Sequence, residues 1–163
     1  MPEEAIGKTG VPSTTRSKPE RPRDALGRPK PWGATNQLDM PDFDAHSMEE
    51  NHELGRAYAE QGDWFPAHEA WETAWKQSKG TGDEELFKGL SQMGAGYVHL
   101  LRGNRHGAVA LLSRAARRVS GYPPGSCGVA TADLAARLET DIARIEAGDL
   151  VPGPLAPVSP LTV

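Results

Sequence analysis

Apolar side chains recur at helical spacing only in the middle of this chain, between residues 46 and 147, and prolines interrupt any such rhythm on either side. Ser47-Met48-Glu49-Glu50 has the order of a capping box and predicts a first helix that runs to Gly62. Asp63 stands where a cap for a second helix belongs. Pro66 is tolerated in its first turn, and the helix continues to Gln77. Lys79-Gly80-Thr81-Gly82 breaks the pattern before Asp83, the expected cap of a third helix that reaches Arg102 and is stopped by Gly103. Asn104 then caps a fourth helix, whose Ala108, Leu111, Leu112, Ala115 and Val119 follow helical periodicity as far as Gly121. A Gly/Pro loop leads into a fifth helix, Thr131 to Ala147, with Leu134, Leu138, Ile142 and Ile145 on one face.

The second half of this pattern echoes the first at a spacing of 41 residues. Gly62-Asp63 returns as Gly103-Asn104, Gly55 as Gly96, Tyr58 as His99, Ala67 as Ala108, Trp71 as Leu112 and Ala74 as Ala115. Each copy reads as helix, tight turn, helix. The expectation is an all-α, compact bundle of about five helices built from two helical hairpins plus a capping helix (46–147). It carries an extended basic Pro-rich N-terminal arm (1–45) and a Pro-rich C-terminal tail (148–163), the tail expected to fray. In the arm, Trp32 is either an anchor that docks on the body, with Arg21, Arg23 and Arg28 meeting acidic groups, or part of a solvated linker.

Charge refines this picture. Residues 1–35 hold 7 Lys/Arg against 4 Asp/Glu, whereas 36–163 hold 11 against 18, so a basic arm precedes an acidic body. An acidic body argues against a nucleic-acid-binding core, whose footprint is a basic patch on the folded part. The apolar share of 37% and mean hydropathy of −0.55 are low for a chain of 163 residues that is globular throughout. No stretch approaches the roughly 20 apolar residues of a membrane span, and the N-terminus lacks the apolar segment of a signal peptide. With Cys127 as the single cysteine, the chain has no internal disulfide. A soluble protein in a reducing cytoplasm is expected, with no membrane partner and no cofactor.

Chemistry concentrates on the second helix. On a helical wheel His68 falls among Trp64, Trp71 and Trp75 with Glu72 one turn on, while Glu69 and Lys76 lie toward solvent. Such a pair serves either as a poised acid and base or as a buried hydrogen bond that pins the hairpin, and the second reading ranks first because a third catalytic partner is missing. Between Gly89 and Leu101 no residue is charged, which marks the third helix as central. Its Gln92, Ala95 and His99 form a stripe opposite Leu86, Leu90, Met93 and Tyr97 and are expected to face the His68–Glu72 pair. His68, Glu72 and His99 are thus candidate metal ligands, ranked low because the Glu-x-x-His order of di-iron bundles is absent. Arg102, Asn104 and Arg105 at the start of the fourth helix suggest a receptor for phosphate or carboxylate, or cations already neutralised by neighbours. Cys127 reads as loop filler.

Two resemblances bear on these residues. Leu54-Gly55, Tyr58, Ala67, Trp71 and Ala74 are spaced as in the tetratricopeptide signature, although the 41-residue interval departs from its period of about 34. More closely, WFPAHEAWETAWK followed by LFKGLSQMGAGYVHLLRGNRHGAVALLSRA resembles the domain-of-unknown-function family 309. The similarity is carried by His68, Glu69, Trp71, Glu72, Trp75, Gln92, His99, Asn104, Gly107 and Ala108. The arm segment RPRDALGRP, followed by an aromatic, resembles the leader of actinobacterial members. The resemblance implies an all-helical fold and no established activity.

Two functional readings follow from the residues. The first is a non-catalytic module that binds a protein partner or a small anionic ligand in a groove lined by His68, Glu69, Trp71, Glu72, Trp75, Gln92, His99, Arg102, Asn104 and Arg105. The alternative is a metal-dependent hydrolase with Glu72 as base and His68 and His99 as ligands. Oligomeric state is left open by the sequence.

Overall fold

Five helices follow one another in a computed structural model that describes residues 21–154, 156, 158 and 161–163. They are α1 (Met48–Gln61), α2 (Trp64–Gln77), α3 (Glu84–Leu101), α4 (Arg105–Ser120) and α5 (Thr131–Ala147), with short 3-10 turns at Phe43–Ala45 and Ser126–Gly128. Each helix packs on the next in chain order, so α3 lies at the middle of the stack. Residues 1–20 of the expected arm, and Leu155, Pro157, Ser159 and Pro160 of the expected tail, lie outside the described residues. No helix among the described residues is long and apolar enough to cross a membrane.

The ends of the first hairpin form as the sequence requires. Ser47 Oγ accepts from the Glu50 amide at 3.1 Å, and Glu50 Oε2 accepts from the Ser47 amide at 2.9 Å. Gly62 closes α1 in the left-handed region (φ 75°), and Gly103 does the same after α3 (φ 82°). The echo extends to the hydrogen bonds of the turns: the Asp63 amide donates to Tyr58 O at 2.9 Å, and the Asn104 amide to His99 O at 2.8 Å.

At the caps the two turns diverge. Asn104 Oδ1 accepts from the Gly107 amide at 2.9 Å, whereas the Asp63 side chain makes no capping bond. The residue equivalent to Gly107 is Pro66, which has no N–H to donate, so the expected cap at Asp63 fails and leaves its carboxylate unspent. Asp83 also stands at an N-cap without a capping bond, and there Glu84 Oε2 folds back instead to accept from the Gly80 amide at 3.0 Å.

The helices pack by seating a large group on a glycine. A Cβ on Gly55 of α1 would lie 2.5 Å from the Trp71 indole of α2, and one on Gly96 of α3 would lie 2.8 Å from Leu112 of α4. These are the positions paired by the repeat, so the echo records one packing device used twice. Gly94 faces the other side of α3, where a Cβ would come within 2.9 Å of the His68 backbone. Glycine is therefore required on both flanks of α3, by backbone approach toward α2 and by side-chain packing toward α4.

The core fills the space these contacts leave. Trp71, Tyr97, Phe87, Leu90, Met93, Leu112, Leu138 and Ile145 are fully buried, and Trp64 lies against Tyr97 with ring centroids 4.3 Å apart. Two polar pairs are buried with them. Tyr97 donates to Asp141 Oδ2 at 2.6 Å, joining α3 to α5, while Arg137 and Arg144 approach the same carboxylate from outside at 3.1 and 3.5 Å. Burial and that carboxylate both push the Tyr97 phenol well above its usual range, so it remains a donor. Trp71 Nε1 donates to His52 Nδ1 at 3.0 Å, and His52 Nε2 donates to Cys127 O at 2.9 Å, which ties α1 and α2 to the loop before α5.

Both flanking segments close on the bundle. Leu150, Leu161 and Val163 are buried, the Leu161 amide donates to Ala59 O, and Arg56 donates to Val163 O, so the described part of the tail is docked and does not fray. Burial of its few leucines and valines outweighs the ordering cost of a short segment. In the arm Trp32 is 64% exposed and is not the anchor. The contact is made by the turn at Asp24–Arg28, where Asp24 Oδ1 accepts from the Leu26 and Arg28 amides and buried Gly27 (φ 78°) lies directly on the Phe65 ring.

Two outcomes test this packing. Gly94→Ala is expected to lower stability by about 1–3 kcal/mol in urea denaturation, despite the better helix propensity of alanine, because backbone atoms of α2 stand where the methyl must go. His52 accepts from an indole N–H, so its neutral form is favoured and burial holds its pKa below the ordinary 6.5. Its contribution to stability is complete above pH 6.5 and is lost as pH falls from there toward the lowered folded value. His52→Gln should be less stable at neutral pH and should show a shallower loss as pH falls below 6.5, read from the midpoint of thermal unfolding.

Candidate functional site

Gly94 brings the middle of α2 onto α3, and this places His68 beside Ser91. His68 Nδ1 lies 2.9 Å from Ser91 O and 3.1 Å from Ser91 Oγ. A carbonyl oxygen only accepts, so Nδ1 carries the ring proton and donates it. The other nitrogen, Nε2, then points at acids of its own helix, 3.4 Å from Glu72 Oε2 and 3.9 Å from Glu69 Oε1. In a neutral imidazole this sets a lone pair against two carboxylates, an arrangement that calls for positive charge between them.

His68, Glu69 and Glu72 form a group with one donor atom from each residue, all within 4.8 Å of one another. It is neither buried nor fully solvated: the side chains of His68, Glu69 and Glu72 are 23%, 36% and 31% exposed. The wheel placed the His68–Glu72 couple in apolar surroundings and Glu69 in solvent, whereas all three sit at the rim. The reason is that Trp71, expected in the groove, is turned inward by its hydrogen bond to His52 and is completely buried. Lys76 Nζ lies 3.3 Å from the second oxygen of Glu72, which leaves Oε2 for the histidine side. Burial holds the Glu69 carboxyl above its ordinary range; neighbouring His68 opposes that shift and the charge of Glu72 adds to it.

The remaining candidates divide into neighbours and outliers. His99 lies near enough for His68 and Arg102 to disfavour its protonation, after burial as the main cause, and its Nδ1 accepts from Asn104 Nδ2 at 3.0 Å. It is not a member of the three-donor group. Gln92 turns away to accept from Arg118 Nη1 at 3.0 Å. Trp75 is half-buried beneath the ammonium groups of Lys79 and Lys88, 5.5 and 5.3 Å from its ring. Arg102 donates to Leu26 O of the arm at 2.8 Å, and Arg105 to Glu146 O at 2.6 Å, where it satisfies a carbonyl at the end of α5. The expected anion receptor at the start of α4 is thus occupied by backbone oxygens and by the Asn104 cap. Cys127 is half-buried in the left-handed region (φ 49°), and burial raises its thiol above the usual range, away from reactivity.

Several of these partners escaped the sequence reading. Asp141 carried a signal, since it lies three residues after Leu138 and four before Ile145 on the buried face of α5. Trp71 carried another, because a buried indole N–H needs an acceptor, but nothing local identified His52. Ser91 acts mainly through its backbone carbonyl, for which its side chain is no guide.

Comparison with known proteins adds one finding. Residues 53–111, from α1 into α4 and including all three donors, match the model of a family described as Domain of unknown function (DUF309). No curated protein and no solved structure matches the chain.

Proposed function

We propose that this chain, whose central helices belong to the DUF309 family, is a helical binding module that holds a divalent transition-metal cation at His68, Glu69 and Glu72. The observation that carries this reading is the hydrogen bond from His68 Nδ1 to Ser91 O. It fixes the tautomer and aims Nε2 at two carboxylate oxygens, as outer-shell carbonyls do for metal-bound histidines. One imidazole and two carboxylates suit zinc or another borderline first-row ion. A cation fits better than the small anion considered from the sequence, because the arginines that would have received an anion donate to Leu26 O and Glu146 O while two carboxylates face the groove. Binding is the extent of the proposal: the geometry assigns Glu72 as a ligand and leaves His99 outside the three-donor group, so it does not assemble the hydrolase alternative, in which Glu72 is the base and His99 a ligand.

The competing account is a structural ion pair, with a proton on Nε2 in place of the metal. Calorimetric titration of untagged protein with zinc chloride separates the two. One equivalent is expected to bind, His68→Ala to abolish binding, and Glu72→Gln to weaken it by at least about tenfold. Affinity should fall as pH drops through the raised range of Glu69, because the metal requires its carboxylate form. Silence in the titration, or equal binding by His68→Ala, establishes the ion pair and ends the metal reading.

A further inference from the structure

A cleft of about 360 Å³ opens where the arm crosses the turn between α1 and α2, apart from the His68 group. Its floor is apolar, built from Trp64 (2% exposed) and Phe65, and Leu38 of the arm contributes a wall. Four polar side chains line it: Gln37, Asp39, Tyr58 and Asp63, of which the two aspartates carry charge. The two carboxylates lie close enough to Tyr58 that both disfavour its ionisation, adding to the effect of burial. The hydroxyl therefore stays protonated and able to donate or accept.

The Tyr58 ring packs edge-on against Phe43, but the hydroxyl of Tyr58 and the carboxylates of Asp39 and Asp63 have no partner among the described residues. Asp63 stands at the N-cap of α2 but makes no capping bond, and Pro66 has removed the amide to which an N-cap side chain at that turn would bond. Among the described residues no salt bridge or side-chain hydrogen bond engages Asp39, Asp63 or the Tyr58 hydroxyl. Among the described residues no lysine or arginine lines the cleft; Arg21 and Arg23 line a neighbouring hollow with Asp39, and the guanidinium groups of Arg23 and Arg102 stand 5.3 and 6.0 Å from the centre of the Phe65 ring. The cleft combines a floor of two aromatic side chains with two carboxylates that form no ion pair among the described residues.

We infer that this cleft binds an organic ammonium ion, a primary amine on an apolar or aromatic body, with the ammonium between Asp39 and Asp63 and the body on Trp64 and Phe65. A pocket of this size, apolar with a few convergent polar groups, is the usual form of a small-molecule site. Three features set the class. The paired charges select a cation, the aromatic floor selects an apolar body, and the absence, among the described residues, of a third Asp, Glu or His donor within coordinating reach disfavours a bare metal ion. Neither His68 nor its carboxylates take part, so the inference stands independently of the metal reading.

The test is calorimetric titration of the full chain with 2-phenylethylamine, 2-phenylethanol and 3-phenylpropionate, with Trp64 fluorescence as a second readout. The amine is expected to bind more tightly than the alcohol by about fivefold or more, and the acid least of all. Asp39→Asn and Asp63→Asn should each remove most of that preference while leaving alcohol binding unchanged. Both residues are exposed and make no capping bond or ion pair, so these variants are expected to unfold at the wild-type temperature. His68→Ala and added EDTA should leave amine binding intact, which separates this site from the metal group. Equal affinity for amine and alcohol, or a charge preference that survives both Asn variants, overturns the inference.

Discussion

The absence of a side chain at Gly94 is the constraint on which the rest of the structure depends. It lets the His68 backbone settle against α3, at a distance no Cβ could occupy. That approach brings the imidazole within reach of Ser91 O, sets its tautomer, and turns Nε2 toward Glu69 and Glu72. The same helix uses Gly96 on another face to admit Leu112, so α3 is the thin plate between α2 and α4. Three interior glycines would weaken an isolated helix by roughly 1 kcal/mol each, and the burial of Trp71, Tyr97, Leu90 and Leu112 around it offsets that cost.

Polar groups inside the bundle serve connection. His52 bridges Trp71 and the Cys127 carbonyl, and Asp141 receives Tyr97 from across the stack. Each bond is directional and has its partner on another element, so each specifies which elements meet in a way that apolar contact does not. His68, the histidine that remains for chemistry, spends one nitrogen on Ser91 O and keeps the second directed at two carboxylates. Positive charge is arranged by the same economy. Arg56, Arg102 and Arg105 donate to main-chain oxygens of the tail, the arm and the end of α5, closing these segments on the acidic body by directional hydrogen bonds.

The paired turns show how one substitution redirects a repeated device. Gly62 and Gly103 adopt the same left-handed conformation, and the amides that follow them make equivalent bonds to Tyr58 and His99. At the third helical position one copy has Gly107, whose amide the Asn104 side chain caps, and the other has Pro66, which offers none. In the copy with proline the cap residue is free, and it lines a cleft that the arm completes. In the copy with glycine the cap residue is engaged, and it also holds His99.

The sequence by itself determined the helices and their order, because capping boxes, turn glycines and the spacing of apolar residues act within a few positions along the chain. The capping box at Ser47, the stops at Gly62 and Gly103, and the span of α5 are local interactions and were legible as such. The cluster on α2 was partly legible for the same reason, since His68 and Glu72 are one turn apart. The tertiary structure alone decided which way each side chain faces. Trp71 left the expected groove because His52 on another helix accepts its N–H. Trp32 stayed in solvent while Gly27 docked, because Phe65 offered a flat ring that only a residue without a side chain could approach. Those outcomes depend on partners 19 or more residues away, or on a carbonyl such as that of Ser91, and backbone atoms and distant neighbours leave no mark in the identity of the residue itself.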